Sequence, residues 1–96
     1  MNRNDVLTIL EAHHADLDRF GVKTLRLFGS VARGEASPGS DVDLLVGFRS
    51  VPTFSEFMKL RIFLEDRLGV KVDLVTESGL RESVRPSVER DAIRVA

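Results

Sequence analysis

A small α/β fold, with a mixed sheet of about three strands and flanking helices, is what this sequence predicts. Three features point to it. Two stretches carry apolar residues at helical spacing, one through Val6, Leu10 and Leu17 and one through Leu60, Leu64 and Leu68. Three short runs, "KTLRLFG", "DVDLLVGF" and "VKVDLVT", read as strands. Gly21, Gly69 and the "SPGS" loop punctuate them.

Residues 4–20 are the first expected helix. Val6, Leu10, His13 or His14, Leu17 and Phe20 share its stripe, Asn4 stands at the cap and Gly21 ends it. The strand at 23–29 puts Leu25 and Leu27 on one face. Residues 30–34 suffice for one or two helical turns, and "EASPGS" is a loop. Residues 41–48 are apolar on both faces after the first positions, as in a central strand covered on both sides. In the helix at 53–68, Thr53 and Glu56 make a capping box, Phe57, Leu60, Leu64 and Leu68 form the stripe, and Gly69 is the stop. The strand at 70–76 has Val70, Val72 and Leu74 on one face and Lys71, Asp73 and Val75 on the other. The tail after Gly79 reads as helix, broken near Pro86.

Length and charge narrow the function. At 96 residues the chain is expected to be a single domain, 1–96. Its 14 basic and 15 acidic residues leave a net charge of −1. That balance lacks the basic excess that general binding to nucleic acid or an anionic membrane needs. There is no cysteine, hence no disulfide frame, thiolate metal site or cysteine nucleophile. The apolar runs are strand-length, and the N-terminus carries charge where a signal peptide would be apolar. A cytoplasmic protein is expected.

The chemistry concentrates in "LFGSVARGEASPGSDVDLLV", residues 27–46. Alternation along a strand puts Asp41 and Asp43 on one face, roughly 6–7 Å apart. Two carboxylates this close repel when ionised, and burying them without a counter-charge is costly. A hard divalent cation removes that cost, and Mg²⁺ is commonly held by one or two carboxylates plus substrate phosphates. Asp73 is a third carboxylate with apolar neighbours on both sides, and it converges with the pair if the two strands are adjacent. Gly29 and Ser30, where a strand passes into a helical turn, suit a phosphate, because glycine permits close approach and helix starts favour anions. Arg33 is placed to reach a phosphate or the acidic loop, and Ser40 to fix that loop by hydrogen bonding. Taken singly, each element has a plain reading: a solvated strand end, an N-cap, an exposed acid. Taken together, they fit a nucleoside triphosphate with Mg²⁺.

The remaining candidates read as structural. His13 and His14 point about 100° apart on a helix and do not form a ligand pair. Phe54, Phe57 and Phe63 default to packing. Arg81, Arg85, Arg90 and Arg94 make a solvated face with Glu82, Glu89 and Asp91, or a docking surface. Lys71 is a counter-charge to Asp73 or a phosphate contact.

The stretch resembles the signature of the minimal nucleotidyltransferases, within the polymerase-beta-like nucleotidyltransferase superfamily. Gly29, Ser30, Arg33, Gly34, Ser40, Asp41, Asp43, Leu44 and Val46 occupy its positions, and Asp73 in "VDLV" fits the third family carboxylate. The resemblance covers nearly the whole chain and implies a minimal polymerase-beta-like fold. It implies that Asp41 and Asp43 bind two Mg²⁺ ions. Asp73 would bind one of them and help activate an acceptor hydroxyl, while Gly29 and Ser30 hold the β- and γ-phosphates of ATP. The implied reaction is attack of that hydroxyl on the α-phosphate with release of pyrophosphate.

A chain of this length is expected to leave no residues for an acceptor-binding domain, so either another protein supplies the acceptor site or the acceptor is itself a protein. The resemblance implies an antitoxin that transfers AMP to a tyrosine of a partner HEPN ribonuclease toxin, with no direct nucleic-acid or membrane contact. Two other readings stand beside it: an antitoxin acting by binding alone, and a homodimeric nucleotidyltransferase acting on a small molecule.

Overall fold

The first apolar stripe becomes two helices rather than one. In the computed structural model, which describes residues 1–95, α1 spans Arg3–Ala12 and α2 spans His14–Arg19. The break falls at His13, whose backbone leaves the helical region (φ −108°, ψ 22°). Its imidazole Nδ1 lies 3.1 Å from the Asp16 carboxylate and its ring packs edge-on against Phe63. The cap of α1 is Asn2 rather than Asn4. Its side chain accepts from the Asp5 N–H while Asp5 accepts from the Asn2 N–H, a reciprocal pair that satisfies two otherwise free donors.

The remaining elements follow in order: β1 (Val22–Phe28), α3 (Gly29–Arg33), β2 (Val42–Phe48), α4 (Phe54–Leu68), β3 (Val72–Thr76), α5 (Arg85–Asp91) and β4 (Ile93–Arg94). They form one mixed sheet of four strands in the order β3-β2-β1-β4. β1 and β2 are antiparallel, β2 and β3 parallel through a crossover that carries α4, and β4 is antiparallel to β1. The three expected strands are present. The fourth lies in the tail expected to be helical, where the chain turns at residues 82–84, forms α5 with Pro86 in its first turn, and returns to the sheet edge.

Strand alternation builds two apolar layers. Leu25, Leu27, Val42, Leu44, Val46, Val72 and Leu74 point to one face, where α1, α2, α3 and α4 cover them through Val6, Leu10, Leu17, Val31, Leu60 and Leu64. A smaller layer on the other face groups Phe28, Leu45 and Val75 with Leu80 and Val88. Leu44 and Leu45 are both fully buried, as expected of a central strand covered on both sides. The second face is only partly roofed. α5 covers its middle, held there by two hydrogen bonds of 2.9 and 3.2 Å from Arg26 of β1 to Glu89.

α4 carries the parallel connection and has clear end signals. The Thr53 hydroxyl accepts from the Glu56 N–H at 3.1 Å, and Glu56 accepts from the Thr53 N–H at 2.8 Å. Gly69 closes the helix in the left-handed region at φ 72°. The cap is exposed, so Thr53→Ala should lower stability by about 1 kcal/mol without altering the fold, measured as a shifted urea midpoint at unchanged slope.

Candidate active site

The parallel pairing of β2 with β3 places Asp43 directly beside Asp73. Residues at one register position on neighbouring strands share a face, so both carboxylates lie on the partly roofed side of the sheet. Two positions further along, Leu45 and Val75 run under α5. One end of this face is therefore packed and the other is an open shelf carrying acids.

Asp43 is half-buried and Asp73 exposed. Burial pushes the Asp43 carboxyl up to about 6, and the charge of Asp73, a hydrogen bond with it, and the charge of Asp41 push in the same direction. Arg33 opposes them through its charge. Asp41 sits one residue ahead of β2 and is exposed. Among the described residues, no three acidic or imidazole side chains close a ready-made metal cage. The expected convergence of three aspartates is thus present only in part: Asp43 and Asp73 pair, while Asp41 stands at the rim because it precedes the first paired residue of the strand.

This donor set fits Mg²⁺. It offers only hard oxygen ligands, and two neighbouring carboxylates, one of them half-buried and raised in its proton affinity, are short of positive charge. An open rim suits an ion that keeps several waters and takes further ligands from a phosphate.

Gly29 is built into the same shelf. It ends β1 and begins α3 at φ 76°, a conformation that side chains rarely adopt. A Cβ at this position would collide with Oδ2 of Asp43 and stand 2.9 Å from its Cγ. The glycine thus lets the backbone of the turn pass against the carboxylate. Ser30 follows, half-buried, and its hydroxyl makes no hydrogen bond among the described residues.

Arg33 and Ser40 are occupied by their surroundings. Arg33 donates from Nε to Glu35 at 3.0 Å and from Nη1 to Asp91 at 3.3 Å, which joins α3 to α5 across the back of the shelf. The Ser40 hydroxyl accepts from the Ser37 N–H at 3.0 Å and so closes the turn ahead of Asp41.

Two residues that the sequence reading passed over complete the surroundings. Glu65 of α4 accepts from the Val72 N–H at 3.0 Å and pins the start of β3 next to Asp73. Arg61, one turn earlier, lies 3.7 Å from that carboxylate. The signal was available: Phe57, Arg61 and Glu65 recur at intervals of four beside the apolar stripe, so they share one edge of the helix.

A family model described as a nucleotidyltransferase domain matches residues 6–95. The chain belongs to that family. Among curated proteins, the protein adenylyltransferase MntA of Thermococcus cleftensis is 42% identical over 92 residues, which covers 95% of this chain and 93% of the relative. A solved chain provisionally described as a minimal nucleotidyltransferase superposes with a TM-score of 0.83 at 43% identity, over 97% of this chain and 95% of that one. A chain from a Shewanella oneidensis complex of tri-AMPylated HEPN toxin with MNT antitoxin gives a TM-score of 0.68 at 18% identity, over 94% and 71% of the two chains, and so shows a common fold. The nucleotidyltransferase domain therefore occupies the whole sheet described above, and the shelf between β1, β2 and β3 is its candidate active site.

Two predictions test this geometry. Because the Asp43 carboxyl titrates near 6 when folded and near 3.8 when unfolded, the folded state holds its proton more tightly. The stabilising proton is fully present below about pH 4 and is lost as the pH rises through about 6. Asp43→Asn removes that loss. The metal-free variant should be more stable than the native protein by about 1 kcal/mol at pH 7.5, after allowing for solvent screening, with the gap closing toward pH 4. Urea titrations at the two pH values measure it. Mg²⁺ at ten times its dissociation constant should then raise the native protein by about 1.4 kcal/mol and the variant by less. Gly29→Ala should lower stability by about 1–3 kcal/mol, and adding Asp43→Ala should return part of it. Simple additivity in that double-mutant cycle would contradict the contact.

Proposed function

We propose that this nucleotidyltransferase transfers AMP from ATP, with Mg²⁺, to a tyrosine hydroxyl of a partner HEPN ribonuclease toxin, and so acts as its antitoxin. The observation that carries the reading is the Asp43–Asp73 pair in register on parallel strands, with Gly29 pressed against it. The likeness to a curated protein adenylyltransferase over almost the whole chain supports the protein acceptor. The Shewanella oneidensis complex, whose toxin is AMPylated beside an antitoxin of this fold, supports the partner class.

On this reading each residue of the shelf has a role. Asp41 and Asp43 would hold the metal, with Asp73 sharing one ion. Bound Mg²⁺ supplies the positive charge that a reacting α-phosphate and its leaving pyrophosphate need. Gly29 and Ser30 take the β- and γ-phosphates, because the turn has no side chain in the way and offers a hydroxyl without another partner. Asp73, exposed at the outer side of the pair, accepts the proton of the attacking hydroxyl. Arg33 reaches the phosphates by exchanging Glu35 or Asp91 for them, and Ser40 keeps the loop ahead of Asp41 closed. On this reading the protein works in the cytoplasm, where ATP and such a partner would meet it. Among the described residues no helix is long and apolar enough to cross a membrane.

The test is intact mass spectrometry of the protein that co-purifies with this chain, before and after ATP and Mg²⁺, with an Asp41→Asn, Asp43→Asn variant alongside. The partner is expected to gain AMP with the native protein and to gain none with the variant, a loss of at least about 10³-fold in rate for removal of the metal ligands. A partner that stays bound and gains no mass in either case would replace this reading with inhibition by binding alone.

A further inference from the structure

Asp73 stands on the less supported strand of its pair. β2 is held on both sides, by β1 and β3, whereas β3 is an edge strand joined to β2 alone. Asp73 is the second residue of that strand, close to the end where an edge ladder opens first. Neighbouring carboxylates repel, and of the two strands β3 is the one free to yield. The register that brings Asp73 beside Asp43 therefore needs a hold on β3 from its outer side.

Glu65 supplies that hold. The Val42 N–H donates to the Lys71 carbonyl at 3.0 Å and the Glu77 N–H to the Val46 carbonyl at 3.1 Å. Backbone groups of successive strand residues point to opposite sides, so Lys71, Asp73, Val75 and Glu77 face β2 and Val72 faces outward. There the Glu65 carboxylate accepts from the Val72 N–H at 3.0 Å. Val72 is buried, so without this acceptor its N–H has little water to turn to. The backbone of Glu65 works on the same turn, because its carbonyl accepts from the Gly69 N–H at 2.8 Å. One residue thus clamps both ends of the link between α4 and β3. Arg61 Nε, buried and without a hydrogen bond, stands 3.7 Å from the carboxylate oxygen that holds Val72 and steadies its charge.

We propose that Glu65 is a positioning residue of the transferase, which keeps Asp73 in register with Asp43 by holding the Val72 N–H. It touches neither metal nor substrate. α4 packs on the face of the sheet opposite the acids, so the effect passes through the backbone of β3. The inference rests on the transferase reading above for what Asp73 then does, which is to share a metal ion and take the proton of the attacking hydroxyl. Loss of the clamp lets Asp73 drift from the shelf while Gly29 and Ser30, on the far side of β2, stay in place.

Three substitutions separate reach from charge. Glu65→Gln keeps the length and an acceptor oxygen, Glu65→Asp keeps the charge but is one methylene short, and Glu65→Ala lacks both. Each is measured on the full chain by amide hydrogen exchange, by titration calorimetry with Mg²⁺, and by the rate of AMP transfer to the co-purifying partner. In Glu65→Ala and Glu65→Asp the Val72 and Val42 amides should exchange about tenfold faster or more, with those of β1 unchanged, while Glu65→Gln stays within about threefold of native. The same two variants should bind Mg²⁺ about tenfold more weakly and lose about tenfold or more in kcat at an unchanged KM for ATP. With Asp73→Asn already in place, Glu65→Ala should add no further loss of Mg²⁺ affinity or rate. Glu65→Asp and Glu65→Gln carry the comparison even if the alanine variant does not fold. Losses that add fully to those of Asp73→Asn, a Glu65→Asp protein that behaves as native, or a raised KM for ATP at unchanged kcat would overturn the assignment. If the native protein transfers no AMP, the transferase reading falls, and the exchange and Mg²⁺ measurements still judge Glu65.

Discussion

The structure depends on one unfavourable contact. Asp43 and Asp73 are held side by side, half out of water, with no cation placed between them. Left to relax, two carboxylates would separate until solvent screened them. They do not, because each sits on a strand whose neighbouring residues are buried: Val42 and Leu44 flank one acid, Val72 and Leu74 the other. Moving either acid would drag apolar side chains out of the core, at roughly 1.5–3 kcal/mol for each one exposed. Hydrophobic burial on one face thus enforces electrostatic strain on the other.

The same logic explains the connections. A parallel pair needs a long crossover, and here α4 provides it, with reciprocal capping at its start and Gly69 at its end. Glu65 at the far end of that helix holds the first N–H of β3, which fixes the register of Asp73 against Asp43. On the other flank, Gly29 lets β1 turn directly into α3 against the carboxylate. The shelf is therefore bounded by a helix start on one side and a helix-pinned strand on the other, and its chemistry sits on elements rather than on a mobile loop.

Much of this was legible in the residues. Period-two apolar residues marked β1 and β3, a run apolar on both faces marked β2, and the Thr53–Glu56 pair marked α4. The acids were visible as an i, i+2 pair and a lone third, and their pairing followed once adjacent strands were assumed. Three things were not legible. The kink at His13 depends on its contacts with Asp16 and Phe63, and nothing in the apolar stripe foretells it. β4 is two residues long, too short for any alternation to show, and exists because α5 returns the chain to the edge of β1. The position of Asp41 ahead of the strand turns on a single residue of ladder, which is finer than spacing resolves.

Arg33 shows how the site keeps its charge deficit. Its field lowers the Asp43 carboxyl, yet its guanidinium is taken by Glu35 and Asp91. Had it paired with Asp43 directly, the carboxylate would be satisfied and a divalent cation would have to displace a charge-assisted hydrogen bond to bind. Held back instead, Arg33 ties α3 to α5 and leaves Asp43 as the group with most to gain from a cation. On the proposed function, the arrangement trades stability of the empty fold for affinity at the site, since the free energy lost by crowding two acids would be returned when positive charge arrives.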